Sequence, residues 1–203
     1  MLPIRYPFFV LVSTLAACQS GTAECSHQAD LQFVEQLYDA GREDQRVRAK
    51  DFIPDDWEAR SRSQLAVDQE NTDWLLERLD KGELPPPCSL GKKGVTAVWL
   101  IAQHSQDDTI RSRLTPFLET SAQGGFLDKR NYYTFVDRVE LRNTGTQIYG
   151  TQYQCDHATG ERFRRPVRDE ENLAYRRKTV GLGSASRELF LLNTFTKACE
   201  IRD

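Results

Sequence analysis

Apolar residues recur every three or four positions along most of the chain, which is the spacing of an amphipathic helix. Leu31, Val34, Leu37 and Tyr38 follow this spacing early in the sequence. Asp or Ser precedes several such runs and Gly follows several, as at helix ends. We therefore predict helices at residues 29–50, 63–81, 94–105, 108–123, 128–143, 169–179 and 184–192.

Three local features modify this series. Residues 94–105 are apolar on nearly all sides, so we expect that helix at the centre of the fold. Pro85, Pro86 and Pro87 predict an extended stretch before it. Pro116 lies inside the next helical pattern, so it should kink that helix or mark its true start.

The hydrophobic period changes to two near residue 146. Residues 147–153 are rich in β-forming side chains, 156–160 suit a turn, and 162–167 can return as a second strand. The predicted fold is therefore mainly α, a multi-helix single domain with one small β-hairpin near residues 146–167.

The first residues have the features of a cleavable export signal. Arg5 precedes an apolar run that ends in small residues, and the run is shorter than the roughly 20 apolar residues of a spanning helix. The sequence Leu15-Ala16-Ala17-Cys18 resembles the lipobox of bacterial lipoproteins, with a plain secretory signal as the alternative. The resemblance implies a signal peptide at 1–17, a lipidated tether at 18–27 and a single helical domain at 28–203. It also implies acyl chains such as palmitate on Cys18 and, from Gln19, an outer-membrane anchor facing the periplasm.

The charge balance argues against nucleic acid as a partner. The full chain has 27 Lys and Arg against 30 Asp and Glu, and the signal peptide contains one of those cations, Arg5. A chain without basic excess cannot neutralise many phosphates. The basic runs at 162–165 and 176–178 flank an acidic run at 169–171, so we interpret them as solvated faces.

Four cysteines besides Cys18 predict two disulfides in an exported chain. The nearest pairs in sequence are Cys25–Cys88 and Cys155–Cys199, although all three pairings are open. Four buried free thiols are the alternative. No cysteines or histidines have the spacing of zinc ligands, and the sequence predicts neither a metal nor a cofactor.

His104 is the first candidate for chemistry. It continues an apolar helix face at the helix C-terminus, and Asp107 or Asp108 follows within reach of its ring. A histidine oriented by a carboxylate can act as a general base. The alternative is a structural corner, in which His104 ends one helix and Asp107 caps the next.

Two further groups could line a site. Asp137 and Arg138 are adjacent on a helix and so point to different partners, with an ion pair at the helix margin as the alternative. Tyr149 and Thr151 share one face of the predicted strand, Gln152 lies on the other, and Gly150 permits close approach of a ligand or a packed side chain.

These segments together resemble an uncharacterised bacterial family, domain of unknown function 6624. The resemblance covers about residues 65–190 and rests on Asn71-Thr72, residues 91–104, Asp137-Arg138, Gln147 and residues 149–152. Family members generally carry Gln-His-x-Asp, whereas here one extra residue separates His104 from the first aspartate. The resemblance implies a domain and a set of candidate residues without implying a reaction.

The favoured function is a lipid-anchored binding or interaction module of the cell envelope. We expect its pocket where the central helix meets the hairpin, and the guanidinium of Arg138 suits a small anionic ligand. An envelope protein is the alternative partner, and a purely structural role is a third possibility. The rival function is a hydrolase with His104 as general base. We assign Gln103, Arg138, Tyr149, Thr151 and Gln152 to ligand binding, and His104 and Asp137 to the catalytic role of the rival.

Overall fold

A computed structural model describes residue 25 and residues 29–49 and 56–195. The fold is mainly α with one small antiparallel hairpin, as predicted. The helices are α1 Leu31–Arg46, α2 Trp57–Asp80, α3 Pro87–His104, α4 Asp108–Gln123, α5 Lys129–Thr144, α6 Leu173–Thr179 and α7 Ala185–Phe195. The strands are β1 Tyr153–Cys155 and β2 Arg162–Arg164, and a 3₁₀ turn spans Glu170–Asn172.

Aspartate side chains determine where four helices begin. Asp30, Asp56, Asp107 and Asp128 each accept a hydrogen bond from a backbone N–H in the first turn of the helix that follows. The first N–H groups of a helix have no partner within it, and these carboxylates accept hydrogen bonds from them. The negative charge of each carboxylate also interacts favourably with the positive end of the helix dipole.

Helix α3 is the central helix, which confirms the prediction from its apolar sequence. It packs against α1, α2, α4 and α5. The buried core includes side chains from all five helices. It is formed by Phe33, Leu37, Leu75, Leu90, Val95, Val98, Ile101, Ile110, Leu114, Leu118 and Phe135 with their neighbours.

Side-chain contacts give the relative directions of the helices. Cys25, just before α1, forms a disulfide with Cys88 in the first turn of α3, and Asp44 near the end of α1 contacts His104 at the end of α3. These two helices therefore run parallel. Helix α2 runs antiparallel to α1, because Asp68 contacts Arg48 whereas Trp74, further along α2, stacks on Phe33.

Several helix starts differ from the predictions. Helix α2 begins at Trp57, six residues earlier than expected, and α6 begins at Leu173, four residues later. Helix α3 begins at Pro87, seven residues earlier than expected, because a proline at the first helical position loses no hydrogen bond. The early turn is joined to the rest of α3 at Gly91, where φ is 62°. Helix α4 continues through Pro116 from Asp108, so Pro116 does not mark its start.

The predicted strand at 147–153 is wrong for most of its length. Only β1 pairs with β2, with Tyr153 opposite Arg164 and Cys155 opposite Arg162. Gln147 makes an isolated parallel bridge to Val167. Residues 148–152 form a loop, because several of their N–H groups are bound by the side chains of Asp137 and Gln147.

The predicted Cys25–Cys88 disulfide is present. Cys155 is also disulfide-bonded, and its predicted partner Cys199 lies outside the described residues, as do Cys18 and the predicted signal peptide. Within the described part of the chain, none of the helices combines the length and apolar character needed to span a bilayer.

Candidate functional site

His104 is oriented by a carboxylate from another helix. Its Nδ1 lies 2.7 Å from Asp44 Oδ1, and a carboxylate accepts hydrogen bonds, so Nδ1 carries the proton in this pair. The His104 side chain is 21% exposed, and Nε2 has no hydrogen-bond partner among the described residues. The ring therefore presents a free nitrogen on the side away from Asp44.

Arg48 extends this pair into a network. Its guanidinium contacts Asp44 Oδ1 at 2.9 Å and both carboxylate oxygens of Asp68, at 2.6 and 2.9 Å. Burial raises the pKa of Asp68, and the hydrogen bonds and charge of Arg48 act in the opposite direction. We call Asp44, Arg48, Asp68 and His104 the histidine cluster.

Asp44 and Asp68 are absent from the predicted site, although both lie on the buried stripes of their helices. Asp44 continues the buried stripe of α1 that includes Leu37 and Gly41. On α2, Asp68 lies two helical turns before the buried Leu75, on the same face. An acidic residue on a buried helix stripe needs a partner in the core. Arg48, four residues after Asp44, is on the same side of the chain.

The expected role of Asp107 and Asp108 in orienting His104 is wrong. The carboxylate of Asp107 accepts the N–H of Thr109 and caps α4, and Asp108 pairs with Arg111 and Arg142. Both arginines also bind backbone carbonyls of the segment that follows His104. The corner between α3 and α4 is thus stabilised by Arg111 and Arg142, and the carboxylate that orients the His104 ring is Asp44.

Arg138 lies beside this network on α5. With its amide oxygen turned toward α5, Gln103 accepts hydrogen bonds from Arg138 Nε at 2.7 Å and Nη2 at 3.1 Å. Among the described residues no carboxylate pairs with Arg138. Burial, followed by the positive charges of Arg111, Arg142, Arg48 and Arg165, lowers the pKa of Arg138 to about 10. Its guanidinium is therefore charged at neutral pH and keeps N–H donors that no group of the described residues accepts.

The histidine cluster has one possible metal-binding arrangement. One ligand atom each from Asp44, Asp68 and His104 lie within 4.8 Å of one another. Arg48 already donates to both carboxylates, so a cation at this position would have to displace a partly buried guanidinium. The arrangement suits an ion-pair network better than a metal centre.

Asp137 faces the opposite direction, into the 147–152 loop. It is fully buried, and its two oxygens accept the N–H groups of Ile148, Tyr149 and Thr151 and the hydroxyl of Thr151, all at 2.7–2.8 Å. A carboxylate with four such donors stabilises loop geometry. This arrangement supports a positioning role for Asp137.

Gln147 and Gln152 complete the loop. The buried Gln147 side chain accepts the N–H of Gln152 and donates to the carbonyls of Gln152 and Arg165, and Gln152 Nε2 donates to the carbonyl of Thr134. Gly150 has φ 68°, and a Cβ there would come within 3.0 Å of the Arg164 side chain. The close approach predicted for Gly150 is thus to packed side chains.

The structure brings the predicted site residues together in two groups. Gln103, His104 and Arg138 are in or beside the histidine cluster, whereas Tyr149, Thr151 and Gln152 gather with Asp137 around the loop. Helix α5 connects the groups, since Asp137 and Arg138 are consecutive and point to different partners.

A protein family spans nearly all of these elements: DUF6624, a family of unknown function, matches residues 30–196. The chain belongs to this family. No curated protein and no solved structure matches it. The DUF6624 match begins before α1, so Asp44 and Arg48 are part of the family domain, whereas the resemblance seen in the sequence began near residue 65.

Proposed function

We propose that this protein is a binding module for a small anionic ligand, with Arg138 as the anchoring residue. The observation that carries the proposal is the partly buried Arg138 guanidinium, which no carboxylate of the described residues neutralises. Keeping such a charge in the fold is costly unless a partner compensates it. A carboxylate or phosphate of a ligand supplies that partner, because both match the planar fork of arginine.

The neighbours of Arg138 favour an anion over a cation or a neutral group. Burial lowers the pKa of Arg138, and the charges of four arginines lower it further, so a negative charge there would relieve repulsion. Gln103 accepts hydrogen bonds from Nε and Nη2 of Arg138, which fixes the orientation of the guanidinium. Nη1 of Arg138 is then available to donate to the ligand. Fixed donors bind an anion with little loss of conformational entropy.

The experiment is titration calorimetry at low salt with inorganic phosphate and with citrate as separate probes. Arg138→Gln should weaken the preferred probe at least tenfold, because a charge-assisted bidentate contact is lost. Arg113→Gln, which removes an exposed arginine paired with Asp80, is the matched control and should leave binding unchanged.

Stability measurements separate ligand binding from a structural role. Arg138→Gln should keep or raise the melting temperature, since it removes an uncompensated charge from a partly buried position. Absence of binding by both probes, or equal binding by Arg138→Gln and wild type, would overturn the proposal.

A second function, hydrolysis, is favoured by one specific observation: the Asp44–His104 pair leaves Nε2 free. In such a reaction Nε2 takes a proton from water, the hydroxide adds to an ester carbonyl, and the proton then passes to the leaving alkoxide. With p-nitrophenyl succinate monoester as probe, His104→Gln should reduce turnover about 10²–10⁴-fold. No turnover by the wild-type protein would reject this second function and leave ligand binding untouched.

The proposed cellular context is the bacterial envelope, with the protein anchored by acyl chains on Cys18. The support is the sequence Leu15-Ala16-Ala17-Cys18 after an apolar run. Two or more acyl chains anchor a protein stably, whereas one chain binds marginally. Cys18→Ser should release the protein from the membrane fraction or leave it unprocessed, and a mature intact mass without acyl chains would reject the anchor.

A further inference from the structure

A cleft of about 470 Å³ lies between α4, the start of α5 and the 147–152 loop. Three tyrosines form its wall: Tyr132, Tyr133 and Tyr149. Its rim carries Glu119, Gln123 and Lys129. It shares no lining residue with the histidine cluster, and we call it the tyrosine cleft.

The three rings form a continuous aromatic surface. The Tyr133 ring centroid lies 5.2 Å from that of Tyr132 and 4.6 Å from that of Tyr149, with interplanar angles of 60° and 54°. All three side chains are partly exposed, and none of their hydroxyls has a hydrogen-bond partner among the described residues. Burial raises the pKa of Tyr132 and of Tyr149, so both hydroxyls remain protonated donors at neutral pH.

The main chain of Tyr149 is held by hydrogen bonds on both sides of its peptide group. Its N–H donates to Asp137 Oδ1 at 2.7 Å, and its carbonyl accepts from Arg177 Nη1 at 2.6 Å. Arg177 is itself buried and pairs with Glu188. With its main chain held and its ring packed on that of Tyr133, Tyr149 loses little entropy when a ligand stacks on it.

The charges around the tyrosine cleft are mixed. Glu119 and Lys129 contribute opposite signs, and Gln123 adds an amide that both donates and accepts. A cleft whose charges balance gives a strongly charged ligand no electrostatic advantage. Its many hydrogen-bond donors and acceptors suit a ligand with several hydroxyls.

We propose that the tyrosine cleft binds a neutral saccharide. The C–H groups on one face of a pyranose ring are weakly positive and apolar, and they stack on the negative face of an aromatic ring. The sugar hydroxyls then bond to Glu119, Gln123, Lys129 and the tyrosine hydroxyls. The volume of about 470 Å³ is within the range of small-ligand sites.

The test is titration of the full chain with maltose, cellobiose and N,N′-diacetylchitobiose, followed by intrinsic fluorescence and by saturation-transfer NMR. At least one disaccharide should bind with a Kd of about 1 mM or tighter. Tyr133→Ala, which removes the middle ring, should weaken that binding at least tenfold. Tyr175→Ala, which removes a tyrosine 70% exposed on α6 outside the cleft, is the matched control and should bind normally.

Tyr133→Phe keeps the experiment decisive if the alanine variant fails to fold. It retains the stacking ring and loses one hydroxyl, so its affinity should fall only two- to fivefold. The proposal is overturned if none of the three disaccharides binds, if Tyr133 variants bind as wild type does, or if free tyrosine and phenol bind while sugars do not. None of these outcomes bears on anion binding at Arg138, since the two sites share no residue.

Discussion

Asp44 and His104 lie 60 positions apart in the chain and share a hydrogen bond of 2.7 Å between the ends of two parallel helices. The bond joins α1 to the last residue of the central helix α3, just before the turn that leads into α4. The alternative hydrolase depends on where this bond holds the His104 ring.

Asp44→Asn should lower the free energy of unfolding by about 3 kcal/mol, because it leaves buried partners of a charge network incompletely paired. Asp44 is 1% exposed and accepts from His104, Arg48 and Gln45. Urea unfolding at neutral pH measures the change. Asp39→Asn, an exposed residue on the same helix paired with Arg42, should change stability by less than about 1 kcal/mol. Equal effects of the two substitutions would contradict a structural network at Asp44.

Asp137→Asn should lower stability by about 3 kcal/mol, because the amide nitrogen of asparagine would face N–H and O–H donors. Four donors of the 148–151 segment surround this carboxylate. Urea unfolding reports the loss, and amide exchange at Tyr149 and Thr151 should increase. The exposed Asp73, whose carboxylate accepts a hydrogen bond from Gln69 on the same helix, provides the control Asp73→Asn. Unchanged amide protection in the loop would show that Asp137 does not position it.

Tyr153→Phe should raise stability by about 1 kcal/mol, because the buried Tyr153 hydroxyl has no hydrogen-bond partner in the part of the chain that the structure describes. Burial also raises the pKa of Tyr153 from 10.0 to about 12. Between pH 10 and about pH 12, Tyr153 has lost its hydroxyl proton in the unfolded chain and retains it in the folded chain. The stability of the folded state therefore falls as the pH rises through this range. Urea unfolding at about pH 9 and about pH 11 should therefore show a larger advantage for Tyr153→Phe at the higher pH.

The lowered pKa of Arg138 has the opposite effect on stability over part of the same pH range. Above about pH 10 the folded chain loses the Arg138 proton that the unfolded chain still retains, so this group makes stability rise with pH. That contribution is present in wild type and in Tyr153→Phe alike, so the difference between the two proteins isolates Tyr153. A constant difference across both pH values would contradict the raised pKa.

Gly41→Val should lower stability by about 1–3 kcal/mol through overpacking. A Cβ at Gly41 would lie 3.0 Å from Ala97 Cβ, on the central helix, where neither backbone can yield easily. Thermal unfolding measures the change. Gly183→Val is the control, because a Cβ there meets nothing within 4 Å. Equal melting temperatures for Gly41→Val and wild type would show that the helices can move apart.

The helical part of the fold could be predicted from the sequence because each helix carries its own periodic stripe and several carry an aspartate cap. The 147–152 loop could not, since its alternating residues suit a strand and the deciding carboxylate, Asp137, belongs to an earlier helix. Likewise the sequence gives reasons to suspect His104 and Arg138. Their partners Asp44 and Gln103 are identified only when helices from separate parts of the chain are packed.

Helix α1 is fastened to α3 by bonds of different kinds at its two ends. The Cys25–Cys88 bond near its start is covalent, whereas the Asp44–His104 contact near its end is a hydrogen bond. A hydrogen bond opens in local fluctuations far more readily than a disulfide. We therefore expect amide hydrogen exchange in α1 to be faster near Asp44 than near Phe33, so the end of α1 that orients His104 is its less stable end.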